Sequence, residues 1–215
     1  MKLHRLRYSP YARKVQMLLD LARLPYELIE VPYGNREALA RLTGGYIYVP
    51  VLELEDGTAL TESRKICEHL LARPEAADLV PSGLEAATWA YSDFVDGPLE
   101  DALFRIASPA IREGWPTAWE RALYTLIKER RYGAGCVDQW QQDVEVLYAR
   151  SRELLAPTFT TLERQPFVLG DHITFADVAL YGQWAMLAAA DPELLARLSP
   201  LAVRHAAQVE AAAFE

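Results

Sequence analysis

The sequence predicts two units in one chain, an α/β unit followed by an all-α unit. Three observations predict this. Strand-like apolar runs and a hairpin signal are confined to the first part of the chain. Beyond it, apolar residues recur only at helical spacing. A proline-bearing break from Arg73-Pro74 to Pro81-Ser82 separates the two patterns. This places the units at residues 1–75 and 82–215.

Taken in order, Lys2 to Arg7 reads as a short strand, with Leu3 facing inward and basic residues outward. Ser9-Pro10 ends it, and Pro10 suits the first turn of a helix. That helix carries an apolar stripe of Val15, Leu18, Leu19 and Ala22. Tyr26 to Val31 reads as a second strand and Asn35 to Leu42 as a short helix. Gly44-Gly45 then leads to the most informative stretch, Tyr46 to Ser63. Val49, Val51, Leu52 and Leu54 favour a half-buried strand. Asp56-Gly57 between two apolar runs is a hairpin turn, because glycine adopts the positive φ such turns need. Ser63 is the expected N-cap of a helix that buries Ile66, Leu70 and Leu71. Pro50 cannot donate to a ladder, so it belongs at a strand start or an edge. In the trans form it would begin the strand. In the cis form it would turn the Val49 backbone outward, free to pair with an extended ligand.

In the second unit, Leu84 to Ile106 reads as a helix bent at Gly97-Pro98. A helix over Trp115 to Arg131 follows, with Pro116 near its start. After Gly133-Ala134-Gly135, one long helix carries Trp140, Val144, Leu147, Leu154 and Leu155, and Pro157 should kink or end it. Further helices follow Thr174 and Pro200. Thr174 and Asp177 have capping-box spacing, in which threonine oxygen and carboxylate satisfy free backbone N–H groups. All five tryptophans lie in this unit, which predicts a large helical core.

Composition excludes several classes. With 51% hydrophobic residues the chain is no disordered segment. It has no uninterrupted apolar run of membrane-spanning length. Its first residues lack the apolar core of a signal peptide, so the cytoplasm is the expected compartment. The formal net charge is −8. Basic and acidic residues balance at 11 each up to Val80, so the whole acidic excess lies beyond it. That balance argues against nucleic-acid binding and leaves the first unit able to accept an anionic ligand. Cys67 and Cys136 form no Cys-x-x-Cys motif, and no His/Cys cluster has metal-ligand spacing. Cys67 is assigned to the core.

The order β-α-β-α-β-β-α, with Val49-Pro50 before the third strand and Glu62-Ser63 at the start of the third helix, resembles the glutathione transferase family. The resemblance covers nearly the whole chain. It implies a thioredoxin-like N-terminal domain with an all-helical C-terminal domain. Ser9-Pro10-Tyr11-Ala12-Arg13 resembles the serine-type members. By that resemblance Ser9 is the catalytic hydroxyl, donating to the sulfur of glutathione so that the thiolate, the true nucleophile, prevails. As a residue read alone, Ser9 is equally an N-cap of the first helix. Tyr8 is the rival hydroxyl, and Tyr11 is assigned to packing. Arg13 serves either the site or the first helix alone. The resemblance further implies that Glu62 and Ser63 hold the γ-glutamyl end of glutathione and that the Val49 backbone pairs with its cysteinyl part. Tyr48 stands beside the glycine carboxylate, where many members carry a basic residue or Gln. A phenol donates one hydrogen bond and has no charge, so Arg36 or Arg41 would have to assist. An electrophile pocket between the domains follows from the same resemblance, with Phe104 and Trp115 either lining it or in the core. The implied partners are glutathione as co-substrate, a small hydrophobic electrophile and a second copy of the chain in a homodimer. Two other readings remain: a binding protein that kept the fold and lost catalysis, and a glutathione-dependent thiol-disulfide oxidoreductase.

Overall fold

A computed structural model of the chain describes residues 1–214. The first unit is built on four strands: β1 (Lys2–Arg5), β2 (Glu27–Glu30), β3 (Val51–Glu53) and β4 (Ala59–Thr61). Their spatial order is β2-β1-β3-β4. β1 runs parallel to β2 through the crossover of α1 (Pro10–Leu21) and antiparallel to β3. Leu3 lies opposite Leu52, and neither has exposed surface. The β3–β4 hairpin closes as the sequence predicts. Gly57 has φ +84°, and the Asp56 carboxylate accepts from the Thr58 N–H at 2.8 Å. α2 (Glu37–Thr43) ends at Gly44 in the left-handed conformation, and α3 (Ser63–Leu71) completes the unit. This is a thioredoxin-like domain, and an all-helical C-terminal domain follows it.

After a tight 3-10 turn at Pro74–Leu79, the chain is helical: α4 (Glu85–Phe94), a wider π-type stretch at Val95–Leu99, α5 (Glu100–Glu113) and α6 (Ala118–Tyr132). Then come α7 (Cys136–Gln142), α8 (Val144–Leu162), α9 (Phe175–Ala190), α10 (Pro192–Leu198) and α11 (Pro200–Phe214). Gly97-Pro98 falls in the π-type stretch, where the widened turn accommodates the missing proline N–H. The expected helix through Trp140 and Leu155 is two helices, broken at Asp143, where one element ends and the next begins. Pro157 neither ends nor replaces α8. It lies on the exposed face, so water can satisfy the carbonyl its missing N–H leaves free. α6 starts later than expected, at a capping box made by Thr117 and Glu120.

α9 organises the packing. It is buried along most of its length, and α1 lies directly against it. A Cβ on Gly182 would stand 2.5 Å from the Pro10 carbonyl oxygen, nearer than any side chain can approach, so glycine is what lets the two helices meet there. Phe175 and Val178 of α9 and Val209 of α11 share one apolar cluster with Leu3, Val15, Leu18 and Ile66. The first domain therefore completes its core with side chains from the second. An ion pair between buried Lys14 and half-buried Asp96 adds a polar tie across the same boundary. Among the described residues no helix is long and apolar enough to cross a membrane.

Candidate active site

Ser9 sits at the junction of β1 and α1 and is 7% exposed. Its Oγ accepts from the Ala12 N–H at 3.3 Å, so it caps α1. Capping uses one acceptor lone pair and leaves the hydroxyl proton free to donate. The cap and the catalytic role proposed for this residue type are therefore compatible. The free N–H groups of the first turn add a field that favours an anion. Arg13 donates from Nε to the Arg7 carbonyl at 2.8 Å. It ties down the loop that presents Tyr8 and Ser9 and does not line the cleft.

A cleft of about 640 Å³ opens between the two domains over the start of α1. Tyr8, Ser9 and Tyr11 form its base, and Arg36, Tyr48 and Val49 line the first-domain side. The Val49-Pro50 peptide is cis, and Pro50 itself is buried. Tyr48 is 67% exposed and stacks edge-on with Tyr46, ring centroids 5.5 Å apart. Arg36 leans over the Tyr33 ring at 5.5 Å, and its buried Nη1 has no hydrogen-bond partner among the described residues. Arg41 is instead on the surface, paired with Glu37 at 2.8 Å. Of the two arginines, only Arg36 lines the cleft.

Glu62 and Ser63 lie at the start of α3, outside the lining of the cleft. The expected Ser63 cap is not the arrangement found. Glu62 occupies the N-cap position, with no capping hydrogen bond from its side chain, and Ser63 is the first helical residue. Glu62 has φ +67°, the left-handed region that a β-carbon disfavours. Such strain in a non-glycine residue concentrates at ligand-binding positions. Its carboxylate approaches the Tyr46 phenol, which burial and this neighbour push up to about 12.

The second-domain side holds groups that sequence reasoning missed. Glu100, Lys128 and Arg131 line the cleft, with Phe104 and Tyr132 between them. Burial raises the Glu100 carboxyl to about 7, with Asp101 adding to it and Arg131 and Lys128 opposing. Burial lowers the Lys128 ammonium to about 8. Lys128 sits over the rings of Phe104 at 4.6 Å and Tyr124 at 4.9 Å. Tyr11, assigned to packing from sequence, lines the cleft and donates to the Asp96 carbonyl at 3.2 Å. Phe104 lines the cleft, whereas Trp115 faces a separate cavity of about 440 Å³ behind it. Tyr8 and Tyr33 stand in the wall common to both. Tyr8 packs edge-on against Trp115 and Tyr124, and burial holds its phenol well above the usual range. Cys67 is fully buried and pushed up to about 12 by that burial; neither cysteine lines the cleft.

The Thr174–Asp177 box forms far from this cleft. Asp177 accepts from the N–H and hydroxyl of Thr174, both at 2.9 Å, and from the Val168 N–H at 2.7 Å. His205 Nε2 meets the same carboxylate at 2.9 Å, while His205 Nδ1 accepts from the Trp184 indole at 3.1 Å. The indole can only donate, so Nδ1 is bare and the proton resides on Nε2.

The fold and this cleft together define a thioredoxin-fold protein with a helical domain closing a cleft over the first helix. Residues 3–78 match the family model described as Glutathione S-transferase, N-terminal domain, and residues 145–207 match that described as Glutathione S-transferase, C-terminal domain. The chain belongs to the glutathione transferase family. It is 29% identical over 193 residues to a probable glutathione S-transferase of Oryza sativa subsp. japonica, covering 88% of this chain and 73% of that protein. It is 31% identical over 111 residues to a probable glutathione S-transferase of Zea mays, covering 50% of this chain and 44% of the maize protein, less than half of its length. The glutathione S-transferase of Ceriporiopsis subvermispora, solved in complex with glutathione, superposes with a TM-score of 0.81 at 16% identity, over 98% of this chain and 96% of that one.

Proposed function

We propose that the chain is a serine-type glutathione transferase that activates the thiol of glutathione for attack on small electrophiles. The observation that carries this reading is Ser9, buried at the base of the interdomain cleft with its hydroxyl proton uncommitted. Glutathione would lie along residues 1–75. Its cysteinyl part would pair with the Val49 backbone and its γ-glutamyl end would meet Glu62 and Ser63. Its glycine carboxylate would meet Tyr48 and Arg36, whose unpartnered Nη1 supplies the charge that Tyr48 lacks. A free thiol of this kind ionises near pH 8.5, so each unit of lowering requires about 1.4 kcal/mol of preference for the thiolate. The Ser9 hydroxyl and the helix start together supply that preference.

The family resemblance adds a homodimer, a cytoplasmic setting and detoxification as the broad role. The thiol-disulfide reading lacks a residue to carry it, since no cysteine lines the cleft among the described residues. The test is conjugation of glutathione to chlorodinitrobenzene by the wild-type chain and by Ser9→Ala. The variant should retain glutathione affinity and lose about 100-fold in turnover near neutral pH. Equal turnover by both proteins would refute the role of Ser9. Glutathione binding without turnover by the wild type would favour the binding-protein reading.

A further inference from the structure

α6 turns its apolar side outward. Tyr124 is its one buried residue, and polar side chains lie beside it on the inner face. Arg121 donates to the Trp115 carbonyl at 2.6 Å, and Lys128 rests over the Phe104 and Tyr124 rings. On the other side Trp119, Ala122, Leu123, Leu126 and Ile127 recur at helical spacing. Trp119 is 65% exposed and Leu126 54%. Leu123 and Ile127 reach the mouth of the cleft, where the exposed Ile47 and Tyr48 of the first domain continue the apolar surface. Trp119 stands against the Gly34 backbone at the same rim. A helix that faces only water keeps its apolar stripe toward the core, so a stripe left outside marks an interaction surface.

Charge indicates what covers it. Arg130 ends the stripe on the same face, exposed and without a hydrogen bond or ion pair among the described residues. Arg131, exposed beside it, borders the cleft, from which Glu100 acts on it. The acids of α6 are committed to backbone groups. Glu120 closes the capping box with Thr117, and Glu129 accepts from the Gly135 N–H at 2.8 Å. The outward face thus combines tryptophan and aliphatic side chains with arginine, the composition of a helix lying in a lipid interface. A second copy of the stripe would bring the same arginines and no uncommitted acid of α6 to answer them. Nucleic acid would answer the arginines and leave the apolar side chains uncovered.

We propose that the α6 stripe and the adjoining cleft mouth dock on a lipid bilayer with acidic headgroups. Trp119, Leu126 and Ile127 enter the boundary between headgroups and acyl chains, and Arg130 and Arg131 meet lipid phosphates. The helix lies on the bilayer and does not cross it. The chain as a whole carries a formal charge of −8 and is repelled by the same surface, which leaves this face as the one that approaches. Docked so, the cleft opens at the lipid boundary, where apolar molecules dissolved in the bilayer enter it directly. The surface is independent of the transferase reading.

The experiment is co-sedimentation of the whole chain with vesicles of phosphatidylcholine alone and of phosphatidylcholine mixed with phosphatidylglycerol. The wild type should bind the mixed vesicles and not the neutral ones. Leu126→Ser should weaken that binding by about 10- to 100-fold, by removing the buried apolar surface of one leucine. Arg130→Glu should weaken it by about 10-fold or more. Both positions are exposed and outside the cleft lining, so melting curves should stay those of the wild type. Brominated lipid should quench tryptophan emission in the wild type and much less in Trp119→Phe. A wild type that binds no vesicles, or binds neutral and acidic ones equally, overturns the inference, as does binding untouched by both Leu126→Ser and Arg130→Glu. A dimer that Leu126→Ser dissociates, with no vesicle binding, assigns the stripe to a second copy and overturns it likewise. A wild type that binds acidic vesicles and conjugates no chlorodinitrobenzene supports the docking surface and counts against the transferase reading alone.

Discussion

Two hydroxyls, Tyr8 and Ser9, reach the base of the cleft, and their surroundings separate them. Tyr8 is wedged among Trp115, Tyr124 and Tyr33, with its ionisation suppressed by burial. Ser9 is fixed by a cap bond that leaves its proton available. Tyr8→Phe should therefore cost little turnover, whereas Ser9→Ala should lose activity at neutral pH and recover much of it under alkaline conditions, where the thiol ionises unaided. Steady-state rates across pH check both, and a Tyr8→Phe enzyme without activity would reverse the assignment. Arg36→Ala should weaken glutathione binding by about 10- to 100-fold, by removing a charge-assisted bond worth about 1.5–3 kcal/mol; calorimetric titration reads it. The cleft acid also has a signature in stability. Glu100 is raised from 4.5 to about 7, so the folded chain binds a proton more tightly than the unfolded chain does. That contribution is fully present below the unfolded value and is lost as pH rises through about 7. Lys128 is lowered from 10.5 to about 8, so its contribution is present at high pH and is lost as pH falls through about 8. Melting temperature should thus decline from mildly acidic pH to neutrality in the wild type, and the decline should flatten in Glu100→Gln.

At the scale of elements, the Asp177 carboxylate serves as more than a helix cap. It receives donors from Thr174, Val168 and His205 inside the core, and its removal strands all of them. Asp177→Ala should cost about 3 kcal/mol or more, a drop in melting temperature on the order of 10 °C for a chain of this size, with glutathione affinity preserved in the folded fraction. The box was legible from Thr174 and Asp177 because capping is local chemistry. His205 and Trp184 were not legible, because they reach Asp177 only through packing of α9 and α11. The same division holds elsewhere. Asp56-Gly57 and Val49-Pro50 identified the hairpin and the loop before it from neighbouring residues alone. The break at Asp143 lies between two helices with neither glycine nor proline to mark it. Pro157 did not end α8, because the fate of a helical proline depends on which face meets water. Glu100 and Lys128 were missed for a related reason. Each is a charged residue on a helix, the pattern of a solvated face, and only the meeting of α5 and α6 over α1 gives them a common cavity.

At the scale of the whole molecule, the cleft lies where two domains meet, and the seam between them is close-fitting. Gly182→Ala should act there. The added methyl would strike the Pro10 carbonyl, a backbone atom with little freedom to yield, so stability should fall by about 1–3 kcal/mol. Because Pro10 follows Ser9 directly, turnover with chlorodinitrobenzene should fall even in the folded fraction, which rate measurements normalised to active protein would register. Light scattering at micromolar concentration should give twice the mass of the chain if the family's dimer forms here; a monomer would overturn that expectation. The contact between Gly182 and Pro10 also constrains how such a protein can be recombined. A helical half transplanted from a relative would bring its own residue to the position of Gly182, and any side chain there would push the donor α9 away from the recipient's first helix. Exchange of substrate specificity by trading whole C-terminal halves should therefore succeed only between chains matched at this single point, however similar their pockets.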